Sequence, residues 1–202
     1  MPMKSLERIV VATVNGRAYY TFLTLLTKMG LKFESRLPWD PSVYDARILL
    51  TTKDEVPRGY SGEVLLYEEL EGDEIKDRAK ILFKLRPGET ILIGIDPGKH
   101  IGIACIYGGF LMWKGSLLDI EGVVKIVRKL IKLPARSHTI RIGNGCPELA
   151  QKIAGLISSY LGSFDHIEIV DERGTTLEGR KRSEKDVKAA YKIAVRRGRE
   201  LG

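Results

Sequence analysis

"ETILIGIDPGKHIGIACIYGG", Glu89 to Gly109, decides how the C-terminal half of the chain is read. Ile91 to Ile95 is a short, β-branched run bounded by turn residues, which predicts a buried strand. Asp96 stands where that run ends. Pro97-Gly98 then supplies one fixed and one permissive φ for a tight reversal. Ile101 to Tyr107 predicts a second strand, so the stretch is a hairpin. A carboxylate at the rim of a buried strand either forms the turn or does chemistry, and these residues alone do not choose.

Downstream, Phe110 to Leu117 predicts a third strand and Ile120 to Leu133 an amphipathic helix. "HTIRIGNG" predicts a strand ending in Gly143-Asn144-Gly145, and Pro147 to Leu161 a second helix. "DHIEIVDERGTT" predicts a strand running into a loop, and a last helix spans about Ser183 to Arg197. Upstream, "RIVVATV", "LKFESRL", "DARILLTT" and "GEVLLYEEL" predict strands. Helices fall between them at Gly16–Met29 and after them at Asp73–Leu85. Strand-helix-strand order with nearly continuous apolar strands predicts a small parallel α/β layer. Arg86-Pro87-Gly88-Glu89 is the natural boundary, dividing the chain into 1–88 and 89–202. Within the first part, "NGRAYYTF" reads as helix capping in preference to an anion site, and Tyr19, Phe22 and Leu26 read as a core stripe.

With 44% hydrophobic and 29% charged residues over 202 positions, the composition is that of an ordinary globular protein. No apolar run reaches transmembrane length and the N-terminus has no secretory pattern, so no membrane partner is expected. Cys105 and Cys146 lack metal-ligand spacing and are expected as buried free thiols in a cytoplasmic protein. Lys and Arg exceed Asp and Glu by 33 to 26, a net charge of +7 that fits a polyanionic partner. Arg173 to Gly202 holds ten cations against four acids, either a nucleic-acid surface or a solvated helix face.

Acids fall at corresponding places in the second half: Asp96 after the first strand, Asp171-Glu172 after the last, and Asp186 on the final helix. Carboxylates converging from separate elements are what a pair of divalent metals requires. Each acid also has a local alternative: a turn at Asp96, an ion pair in Asp171-Glu172-Arg173, a capping box from Ser183 to Asp186.

Three antiparallel strands followed by α-β-α-β-α is the order of the ribonuclease H fold. "IGIDPGKHIGIA" resembles the opening motif of the RuvC/YqgF branch of ribonuclease H-like nucleases. "VDERGTT" (Val170 to Thr176) and "KDVKAA" (Lys185 to Ala190) resemble the second and closing motifs of YqgF proteins, and "IGNG" resembles the YqgF-like domain of the Tex family. The resemblance covers about Glu89 to Arg197 and none of the first part. It implies a ribonuclease H-like C-terminal domain with a mixed sheet and flanking helices, preceded by a small parallel α/β domain. It further implies Asp96, one of Asp171 and Glu172, and Asp186 as catalytic ligands of Mg²⁺ or Mn²⁺. RuvC resolvases close the middle strand with an acid; Gly143-Asn144-Gly145 departs from that and agrees with YqgF.

The leading expectation is therefore a metal-dependent nuclease of structured DNA, such as a junction, or of RNA. Lys99, Arg173, Thr175, Thr176, Arg180, Lys181, Arg182, Lys188, Arg196 and Arg197 are the nucleic-acid-binding candidates, with Thr175 and Thr176 equally able to cap their loop. A non-catalytic nucleic-acid-binding protein of the same fold is the alternative. An actin-like ATPase shares the hairpin motif but needs two such lobes, and the second part has room for one. A homodimer is compatible with each reading.

Overall fold

The structure, a computed structural model, describes residues 8–163, 165–171, 182–196 and 198–200; at 182–186 and 199–200 it describes the backbone alone. The chain divides into two compact units, Met1–Pro87 and Gly88–Gly202. Among the described residues no helix is long and apolar enough to cross a membrane.

The first unit is a parallel sheet. β1 (Ile9–Ala12), α1 (Gly16–Lys28), β2 (Glu34–Arg36), β3 (Ile48–Thr51), β4 (Glu63–Leu66) and α2 (Glu74–Leu85) follow one another, and the strands order as β2-β1-β3-β4. Every residue of β1 and β3 is buried, as expected of central parallel strands. Asn15 caps α1 by accepting from Arg17 N and Ala18 N, both at 3.1 Å, which bears out the capping reading. Phe22 and Leu26 are core residues, but Tyr19 is only half-buried, its hydroxyl 3.0 Å from Ser35 Oγ. The phenol keeps a polar partner on the flank of the helix instead of entering the core. "GEVLLYEEL" is strand only to Leu66: the Glu69 carboxylate accepts from Leu66 N at 2.7 Å and folds Tyr67–Glu69 into a 3₁₀ turn.

The second unit is a mixed sheet with helices on both faces. β5 (Ile91–Asp96), β6 (Ile101–Tyr107) and β7 (Phe110–Leu117) form an antiparallel meander. α3 (Ile120–Leu130), β8 (His138–Gly143), α4 (Pro147–Ser158), β9 (His166–Val170), α5 (Arg182–Val195) and β10 (Arg199–Glu200) complete it. The order is β10-β9-β8-β5-β6-β7, with β8 parallel to both β5 and β9. His138 reaches back to Leu133 O, just past α3, whereas Arg141 donates to Ala194 O of α5. Residues of opposite parity on one strand therefore mark opposite faces, with α3 and α4 packed on each other over one and α5 over the other.

Two expectations change here. Cys105 is buried in β6, where burial pushes its thiol well up, but Cys146 is exposed. It stands at the N-cap of α4, beyond the end of β8, where the chain turns outward. The two-residue β10 has no apolar pattern to announce it and follows from tertiary pairing with β9.

Candidate metal and nucleic-acid site

Register defines the candidate site. Ile95 lies opposite Ile142, and Ile142 opposite Ile169, so the carboxyl ends of β5, β8 and β9 lie side by side. Asp96 closes β5, Gly143 closes β8, and Asp171 follows the last residue of β9. Asn144 N donates to Val170 O at 3.0 Å and ties two of these ends together. Asp96 still pairs in register with Gly102, so it is the last ladder residue of the hairpin and not merely part of its turn. Asp96 and Asp171 are both half-buried. Two strand spacings separate them, about 10 Å between backbones.

The face on which Asp96 stands is set by Gly94; in register its counterpart on β9 is Val170, and Asp171 is one residue further on. Side chains alternate along a strand, so Asp96 stands on the same face as Gly94, two residues earlier. A Cβ at Gly94 would collide with Ala190 O and lie 2.6 Å from Ala194 N. Glycine here is what lets α5 lie directly on β5. Ala190, Ile193 and Ala194 form the buried stripe of that helix. Asp186 is four residues, about one helical turn, before Ala190 in α5; its side chain lies outside the described residues.

A part-buried ion pair fixes the other end of α5. Arg141, in the middle of β8, donates through Nε to Glu168 Oε2 at 2.9 Å and through Nη1 to Ala194 O at 2.6 Å. Glu168 also accepts from Gly198 N at 2.8 Å. Burial pushes the Glu168 carboxyl up, but the Arg141 and Gly198 hydrogen bonds outweigh it and hold the group below its ordinary range. The Ala194 carbonyl belongs to the last turn of α5, whose free carbonyls need such a donor. The sequence carried a signal for this pair: one basic and one acidic residue interrupt adjacent apolar strands, "HTIRIG" and "HIEIV". Opposite charges at matching positions, Arg141 against Glu168, point to each other.

Of the other expected site residues, Lys99 is exposed in the β5–β6 turn, Lys188 is exposed on α5, and Arg196 is exposed just after it. Arg182 belongs to α5 in its backbone. Glu172, Arg173, Thr175, Thr176, Arg180, Lys181 and Arg197 lie outside the described residues. Among the described residues, no group of three or more His, Cys, Asp or Glu side chains is placed to hold a metal. The described side chains of the expected acid set are Asp96 and Asp171, one at each side of the β8 end. No family model matches the chain, and a search of curated proteins finds no relative.

Proposed function

We propose that the C-terminal unit is a ribonuclease H-like nuclease of the YqgF/RuvC kind, acting in the cytoplasm on a structured nucleic acid such as a DNA junction or folded RNA. One observation carries the reading. Asp96 at the end of β5 and Asp171 just past the end of β9 lie at the carboxyl ends of strands that run parallel, and the helix bearing Asp186 is laid on the strand that ends in Asp96. The strand order, a meander followed by two parallel strands through helical crossovers, supports the same family.

The described donors fit Mg²⁺ or Mn²⁺: the Asp96 and Asp171 carboxylates are half-buried hard oxygen ligands of the kind these ions take. When bound, a pair of such ions supplies an activated water and stabilises the leaving oxygen of the phosphodiester. The chain's own contribution is placement. Asp96 is held by the β5–β6 ladder, Asp171 by the β8–β9 pairing, and Asp186 by the seating of α5 on Gly94. Lys99 at the hairpin tip and Lys188 on α5 attract the flanking phosphates.

A second reading has its own observation. β8, between the two acid-bearing ends, closes on Gly143-Asn144 where a resolvase has an acid, which suits a protein that holds nucleic acid without cutting it. A cleavage screen with Mg²⁺ and Mn²⁺ on four-way junction, flap, single-stranded DNA and structured RNA separates the two. Metal-dependent cleavage of one substrate supports the nuclease; metal-independent binding without cleavage of any supports the second reading.

A further inference from the structure

The charge excess of this protein is localised. Residues 1–87 carry 14 Lys and Arg against 13 Asp and Glu, whereas residues 88–202 carry 19 against 13. In the first unit cations are consumed internally: Arg8 and Arg36 both donate to Glu34, and Lys76 and Lys80 both reach Glu71. In the second unit, the chain from Val123 to Pro147 contains no acid but holds Lys125, Arg128, Lys129, Lys132, Arg136 and Arg141. Arg141 is committed to Glu168. Lys125 and Arg128 are exposed, about one turn apart on α3.

These two line a groove of about 810 Å³ between α3 and α4, together with Lys152, Leu156 and Tyr160. The Arg128 guanidinium lies over the Tyr160 ring, 4.4 Å from its centroid. Stacking uses the flat face of the guanidinium and leaves its in-plane N–H groups available to an acceptor. Of the two acids beside the groove, Asp119 is occupied in accepting from Gly122 N at 2.7 Å, which leaves Glu121 against three cations. Among the described residues, Lys125, Arg128 and Lys152 have no carboxylate within ion-pair distance.

We propose that the α3–α4 groove is a second nucleic-acid contact, holding a phosphodiester backbone on the sheet face opposite α5. Unneutralised cations set around a partly exposed aromatic ring are what looped and single-stranded nucleic acids use: charge for the backbone, the ring for an unpaired base. A folded acidic protein would use the same cations but needs a larger apolar contact area to hold. The proposal rests on the nucleic-acid part of the proposed function and not on cleavage.

The test is binding of a labelled single-stranded oligonucleotide and its duplex to the full chain in EDTA, across a salt titration. Lys125→Glu/Arg128→Glu/Lys152→Glu is expected to weaken binding about 10- to 100-fold near ~0.1 M salt and to flatten the log–log slope by roughly two to three units. The charge-keeping Lys125→Arg/Lys152→Arg, which leaves the Arg128–Tyr160 stack in place, keeps wild-type slope and affinity. Should the reversed variant lose its melting transition, the milder Lys125→Gln/Lys152→Gln is expected to flatten the slope by roughly one to two units. Unchanged slope and affinity in a folded variant overturn the proposal. So does polyglutamate that competes with the oligonucleotide, binds more tightly and loses its binding in the same variant, because the groove then takes acidic protein segments. EDTA keeps cleavage out of the readout, so a protein that never cuts still gives the expected result.

Discussion

At the scale of single residues, Gly94 and Asp96 divide the work of one strand end: the first admits a helix, the second presents a carboxylate on the same face. Gly94→Ala forces a methyl against Ala190 O, part of a helix backbone that cannot rotate away. The expected cost is about 2 kcal/mol or more, read as a lower midpoint in urea unfolding. Asp96 was legible in the sequence because its signal is local, an apolar run stopped by Asp-Pro-Gly. Gly94 was not, because a glycine inside a strand reports that something approaches without saying what. For the second acid, Asp171 follows directly on Val170 at the end of β9, and Glu172 lies outside the described residues. Asp171→Asn is expected to lower Mn²⁺ affinity at least tenfold in calorimetric titration; unchanged affinity would move the ligand to Glu172.

Among elements, the seating of α5 depends on the Arg141–Glu168 pair as well as on Gly94. Glu168→Gln replaces a charge-assisted hydrogen bond of a part-buried pair by a neutral one, and is expected to lower stability by about 2 kcal/mol at neutral pH. The pH dependence has a definite sign. Glu168 titrates below its ordinary value in the folded state, so its contribution is complete above about pH 4.5. It is lost as pH falls through the lower folded value. The stability gap between wild type and Glu168→Gln should narrow from pH 6 toward pH 3; a constant gap would show that the charge of Glu168 is not what stabilises α5. Most elements were readable from periodicity because their apolar faces repeat at 2 or 3.6 residues. Those that were not readable depend on partners distant in sequence. Arg199–Glu200 becomes a strand because Gly198 sits against β9, and Tyr19 leaves the core because Ser35 offers its hydroxyl a partner.

For the whole molecule, two α/β units with equal numbers of acids carry very different net charge, and the excess sits with the unit that bears Asp96 and Asp171. Composition gave the total of +7 but not its distribution in space; the α3–α4 groove went unread because its cations come from two helices that meet only in the fold. The most direct measurement is the Mg²⁺- and Mn²⁺-dependent cleavage rate of the full chain and its Asp96→Asn variant on the substrate a screen identifies. Asn keeps the turn and the ladder but not the charge that holds a metal. The expected result is a fall of about 10³-fold or more, with melting temperature and binding in EDTA unchanged. Equal cleavage by the variant would contradict the assignment of Asp96 to the metal site.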